Sequence, residues 1–309
     1  MLMFLVRLLY LPFFLLVGNG LALFIVERGY SEGWLMLLLV SFIALAFLAE
    51  RLVPYDAAFN MSHGDRTRDF THALVNESLS VMGVISVPVI ASFISLPAIW
   101  PTSLPLWQQL LMAVLIADVG ITLVHYLSHK VDMLWRLHSV HHSVKRMYGF
   151  NGLMKHPLHQ TLETLAGAAP LLLLGIPQNV LMLVVVAVVL QLLLQHSNVA
   201  YFSGPLKRVL AVNVVHRFHH LNTAEEGDVN FGLFTTFTDY LLGTAYFEKD
   251  RIFRSEDLGI SDQPNYPVDY LSQLIEPFRY ENSKEASLGK AFDSTDITVS
   301  VPNAPVPDV

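Results

Sequence analysis

The chain has 309 residues, of which 53% are hydrophobic and only 15% charged, with a mean hydropathy of +0.47. A soluble domain carries about 25% charged residues, so this composition excludes an ordinary water-facing globule and, for most of the chain, disorder. Cysteine is absent, which excludes disulfide frameworks, thiolate-bound haem, iron–sulfur clusters and cysteine zinc sites, and the formal charge of −7 leaves no basic surplus for nucleic acid.

Long apolar runs begin at once. Leu8–Val26, Trp34–Ala49, Ala73–Ile99 and Leu106–Leu127 each approach the ~20 residues that cross a bilayer core. Two shorter runs, Leu162–Ile176 and Val180–Leu194, flank the turn Gly175-Ile176-Pro177-Gln178-Asn179. They predict short spans or a re-entrant hairpin. One soluble core has no room for so many apolar runs. The first run is long and no small-residue cleavage site closes it, so it reads as an uncleaved span. The expectation is an all-α polytopic membrane bundle.

If the spans alternate, one side collects Arg51, Arg66, Arg68, Lys130, Arg136, Lys145, Arg146, Lys155, Lys207, Arg208 and Arg217, and the other only Arg28. That asymmetry predicts a cytoplasmic basic side, and nearly every histidine falls on it. Acidity belongs to the end of the chain: from Glu248 onward there are 12 acids and 6 bases, against 14 and 13 before. Tyr266–Phe278 has apolar residues at helical spacing, suited to the membrane surface or to packing on a soluble cap. From about Ser283 the tail is aperiodic and expected to be disordered. The organisation read from this is N-terminal spans over 1–105, a catalytic unit over 106–250, an amphipathic segment over 251–282 and a tail over 283–309.

Histidine is over-represented, with 13 copies. His125 and His129 share a helix face at i, i+4; His138, His141 and His142 share one at i, i+3, i+4. His196 closes the sixth run, and His216, His219 and His220 repeat the HxxHH spacing. Neutral imidazole suits iron, zinc and copper. One tetrahedral zinc needs four ligands, so nine histidines are too many for one ion and match a pair. His63 and His72 read as local hydrogen-bonding residues. His156 and His159, in Lys155-His-Pro-Leu-His, read as supporting or interfacial ones. Asp118 is an acid inside an apolar span, which is costly and usually has a role. With Asn198, Asp239 and Glu163 it is a candidate acceptor for the second ring nitrogens.

The order HxxxH, HxxHH, apolar hairpin, HxxHH resembles the fatty acid hydroxylase / sterol desaturase superfamily of integral-membrane di-iron enzymes. The resemblance covers roughly Leu106–Phe247. It rests on His125-Tyr-Leu-Ser-His129, Leu134–Ser143, His156-Pro157, Gln195-His-Ser-Asn198, His216–His220, Asn230-Phe-Gly232 and Asp239–Thr244. The chain departs from the family pattern at Thr238, where an aromatic usually precedes the aspartate, and at Lys155 and His159, where an Arg and an acid are usual. The resemblance implies an O2-dependent lipid hydroxylase or desaturase with two iron ions, for which zinc is a possible substitute on spacing alone. It implies a lipid substrate drawn from the bilayer. No stretch is left for a fused electron carrier, so a separate electron-transfer protein is expected. The rival readings are a membrane metal transporter, whose ligands should run through the spans, and a non-catalytic metal- or lipid-binding protein.

Overall fold

The computed structural model describes residues 1–91, 99–248 and 251–279. The predicted disordered tail and the end of the third apolar run lie outside the described residues. Among the described residues the chain is helical, with only isolated β-bridges such as Pro54↔Val199 and Leu210↔Thr235.

Helix α1 runs Leu2–Glu27, starting before the apolar run does. Pro12 lies within it and is followed by a π-turn over Phe13–Gly18. Proline has no N–H to donate and crowds the preceding turn, so the helix widens there. The Asn19 side chain donates to the Leu15 carbonyl at 2.9 Å. Helix α2 spans Gly33–Leu52 and α3 spans Arg66–Ala91. Helix α3 begins a full two turns ahead of the apolar stretch read from sequence. Its polar start is buried: Asp69 and His72 are both inaccessible. Helix α4, Leu106–Lys130, crosses the bundle, and α5, Asp132–His142, folds across its end. Helices α6 (Pro157–Leu173) and α7 (Gln178–Gln195) form the predicted hairpin, with Gly175 at φ 76° in the turn. Helix α8, Asn213–His219, carries the last histidine motif.

Among the described residues four helices, α1, α2, α4 and α7, are long and apolar enough to span a membrane. They differ in surroundings. In α7, 72% of the most apolar window is buried, against 28–33% in the other three. Helix α7 is therefore the central post, apolar all round because it touches protein all round.

The ends of α2, α4 and α7 gather at one pole. The Glu50 carboxylate accepts the amides of Gly149 and Asn198 at 2.8 and 2.9 Å, and the Phe202 amide donates to the Arg7 carbonyl at 2.9 Å. The α6–α7 turn lies at the opposite pole, where the Ile99 amide reaches the Leu174 carbonyl. Buried ion pairs lock the histidine pole. Arg146 binds Asp65 at 2.7 and 2.9 Å and lies 3.8 Å over the Tyr148 ring, whose hydroxyl donates to Asp69 at 2.7 Å. Burial alone would raise the Asp65 carboxyl, but the hydrogen bonds from Arg146 and Ser62 outweigh it and hold it below the ordinary value. The segment over 270–279 is helical and packs on the cap through one face, while Leu271, Ile275 and Phe278 stay exposed. Gln273 is fully buried and accepts from the His72 ring at 2.9 Å.

Helices α4 and α6 meet backbone to backbone. A Cβ on Gly120 would stand 2.1 Å from the Ala166 carbonyl oxygen, and one on Gly167 would stand 2.9 Å from Ile121 Cγ1. Close approach through small residues is how apolar helices gain contact in lipid. It also fixes the height of His125 and His129, about one and a half and two and a half turns above. Gly120→Val is expected to force these helices apart, at the ~1–3 kcal/mol typical of overpacking. A lower unfolding midpoint in detergent measures it, and an unchanged midpoint contradicts the packing account.

Candidate metal centre

The histidine pole brings all nine motif histidines together. His125, His129, His138, His142 and His219 form one group and His141, His196, His216 and His220 a second; within each, one nitrogen per ring lies within 4.8 Å of the others. The side chains are all buried, His129 included at 4% exposure. The groups interleave because α5 and α8 serve both. His141 and His142 are adjacent in sequence, and the His216 and His219 rings lie 4.9 Å apart.

The Nε2 atoms converge. His138 Nε2 is 3.0 Å from those of His125 and His142, and His142 Nε2 is 3.0 Å from that of His219 and 3.2 Å from that of His129. In the second group His216 Nε2 lies 3.0 Å from His196 and 3.1 Å from His220, and His196 Nε2 lies 3.3 Å from His141.

The other ring nitrogens decide what these contacts are. His125 Nδ1 donates to the Phe231 carbonyl at 2.7 Å, His219 Nδ1 to Val229 at 2.9 Å and His141 Nδ1 to Met154 at 3.1 Å. His129 Nδ1 donates to the Asp228 carboxylate at 2.8 Å, and His196 Nδ1 reaches the Leu192 carbonyl at 3.4 Å. A carbonyl or carboxylate only accepts, so each of these rings carries its proton on Nδ1 and presents a bare Nε2. His141 and His196 then face each other with two lone pairs and no proton between. Burial lowers the pKa of His138, His141, His142, His216 and His219, and that of His220 to about 3, so the rings stay neutral. Neutral donors converging in a buried space are the arrangement a cation satisfies. The nitrogen set fits metal ions.

One loop holds much of this. Asn230 sits at φ 55°, the one non-glycine residue at positive φ among those described. Its side chain donates to the Val215 and Tyr246 carbonyls at 3.1 and 2.9 Å and accepts from the Tyr246 amide. The bend turns the flanking Val229 and Phe231 carbonyls onto His219 and His125. Asp239 accepts the Phe231 and Gly232 amides at 2.7 and 2.9 Å, and Gln195 donates to the Gly232 carbonyl at 2.8 Å.

The acids and amide proposed to back the histidines are placed otherwise. Asp118 accepts the Phe234 and Thr235 amides and the Thr235 hydroxyl, at 2.8, 3.0 and 2.6 Å; it ties α4 to the loop and bonds no histidine. Asp239 acts one bond removed, through Phe231. Asn198 holds the α2–α3 connection, bonding Asp56 and Asn60. Glu163 pairs with Lys155, its other oxygen 3.9 Å from His159 Nδ1. With His138 and His159 it makes a third, smaller group of possible metal-holding side chains. Asp228, which holds His129, was not singled out by sequence. Burial would raise its carboxyl, but bonds from His129 and Lys130 hold it below the ordinary value.

Comparison with known proteins follows the same segment. A family model described as fatty acid hydroxylase matches residues 110–244. An ornithine lipid hydroxylase, OlsE, of Rhizobium tropici is 31% identical over 261 residues, covering 82% of this chain and 78% of that protein. An alkylglycerol monooxygenase of Danio rerio is 29% identical over 163 residues, covering 52% of this chain and 34% of that one. No solved structure matches. With the first relative matched over most of its length and the family model lying across every motif histidine, the chain belongs to the fatty acid hydroxylase / sterol desaturase family of membrane oxidoreductases.

Proposed function

We propose that the protein is an O2-dependent hydroxylase of a bilayer lipid, with the nine histidines holding two iron ions: His125, His129, His138, His142 and His219 for one, His141, His196, His216 and His220 for the other. The observation that carries this reading is the convergence of buried Nε2 atoms, five of them left bare by Nδ1 bonds to acceptors, in two adjoining groups at one pole of a membrane bundle. Zinc would accept the same nitrogens but has no redox chemistry. Bound iron supplies the capacity to reduce O2 and attack an unactivated C–H bond.

The overall change is a lipid C–H, O2, two electrons and two protons giving a lipid C–OH and water. The C–H and O–O bonds break, one oxygen atom enters the lipid and the other leaves as water. A separate electron-carrier protein is the expected source of the electrons. The chain's own part is placement. Carbonyls of Met154, Val229 and Phe231 fix which nitrogen each ring presents, and the Asp228 carboxylate makes His129 a stronger donor. Both relatives are named for oxygen insertion, which favours hydroxylation over desaturation. An ornithine lipid, named for the Rhizobium tropici protein, is the first candidate substrate. Excess Lys and Arg at the histidine pole favour its placement in the cytoplasm, and the confinement of the nine histidines to positions 125–220 favours residues 106–250 as the catalytic unit. Transport is disfavoured because the histidines crowd one pole instead of threading the spans.

The purified protein is expected to contain close to two irons per chain and to consume O2 with lipid and reductant. His141→Ala and His219→Ala, one from each group, should each lose iron and all activity while still inserting in the membrane; full activity in either contradicts the ligand assignment. Asp228→Asn should keep the fold but weaken iron binding by roughly 10–100-fold, the usual effect of losing such a partner, as read by chelator competition.

A further inference from the structure

A crevice leads away from the histidine pole along the α6–α7 hairpin. It is a partly open cleft with a cavity volume of about 140 Å³ between α3, α4, α6 and α7. Its two ends differ in chemistry. Near the pole its wall carries Lys155, Gln160, Glu163 and Thr164, with Glu77 and Ser80 from α3. Towards the far turn it is lined by Leu171, Leu172, Leu181, Val184 and Val188. From Glu163 to Leu171 is eight residues of helix, about 12 Å.

The polar end abuts the metal-holding histidines. Glu163, a wall residue, belongs with His159 to the group that includes His138, all within 4.8 Å. The Lys155 ammonium pairs with Glu163, and both side chains are buried, at 9% and 6% exposure. An ammonium has three N–H donors. One bond to Glu163 leaves donors for an acceptor inside the crevice. Among the described residues the apolar end has no group to meet a polar one, and a polar headgroup pushed there would forfeit its hydration.

Resting on the hydroxylase reading above, we propose that this crevice takes one acyl chain of a bilayer lipid in a single direction. The chain's carbonyl lies at Lys155 and its methyl end at Leu171–Leu181. The carbon presented to the histidine centre is then one of the first few beside the polar group, and hydroxylation falls there rather than at mid-chain or the methyl end. Two of the crevice walls, α4 and α7, are helices long and apolar enough to cross a membrane, so the occupant comes from the bilayer. Lys155, the one cation among the described lining residues, keeps donors beyond its bond to Glu163, and a cation beside an apolar channel matches a carbonyl-headed hydrocarbon.

The test uses the iron-loaded protein in phosphatidylcholine vesicles carrying a trace phospholipid with a photoactivatable diazirine on its acyl chain. With the diazirine at the methyl end, crosslinks are expected in Leu171–Val184; with it beside the carbonyl, in Lys155–Thr164. Ala168→Phe and Val188→Phe fill the crevice from opposite walls, and each should cut labelling at least tenfold without changing iron per chain. Labelling confined to outward faces such as Leu123 and Leu127, or unaffected by both variants, overturns the proposal; a reversed order of labels overturns the direction. Labelling needs no turnover. An iron-free or inert protein that still labels in the crevice defeats only the hydroxylase reading, and an active protein that does not label there defeats only the crevice.

Discussion

Imidazole nitrogens cannot satisfy one another when each has already given its proton elsewhere. That constraint governs the histidine pole. Five rings are tied at Nδ1 to acceptors that never donate, which strips the proton from the inward nitrogen and leaves lone pair facing lone pair at 3.3 Å between His141 and His196. In water such rings would turn outward. Here they are buried, and acceptors in two connecting segments and in helix α7 keep them from turning. A cation between His141 and His196 relieves that repulsion.

The bundle around them works to hold that arrangement. Helix α7 stands inside the protein and delivers His196 at its end, while its Gln191 and Gln195 side chains bond the carbonyls of the 232–233 loop. Asp118, deep in α4, holds the other side of the same loop through Phe234 and Thr235. The loop is thus pinned from two membrane helices, and its carbonyls in turn aim His125 and His219. Arg146 and Asp65 fasten the α5–α6 connection to α3, beside the Met154 carbonyl that aims His141. Polar groups buried in the spans are costly, and nearly all of these are spent on orientation.

The histidines and their grouping were legible because helix spacing alone puts i, i+3 and i+4 on one face; HxxxH and HxxHH announce their geometry. The hairpin was legible from Gly175-Ile-Pro-Gln-Asn. What backs the rings was not. Most of their partners are main-chain carbonyls, and every residue has one, so Met154, Val229 and Phe231 carry no signal. Asp118 looked suited to the task by sharing a face with His125. Seven residues of helix place it about 10 Å away along the axis, level with a loop that sequence could not position. Asp228 was hidden in an acidic stretch with Glu225 and Glu226, of which it alone faces a histidine. The start of α3 was missed because its residues are polar and their burial depends on Arg146 and Gln273, distant in the chain.

Helix α5 places His138 and His142 in one group and His141 in the other, and α8 divides His219 from His216 and His220 in the same way. Neighbouring residues on one rigid rod cannot be arranged independently. Ordering α5 and α8 around a first cation therefore prepares most of the second cradle, whose conformational cost is then already met. If both groups hold metal, their occupancy is cooperative: the protein would pass between empty and doubly filled with little singly filled species between, so partial metal starvation would yield a mixture of two populations instead of a uniformly half-loaded one.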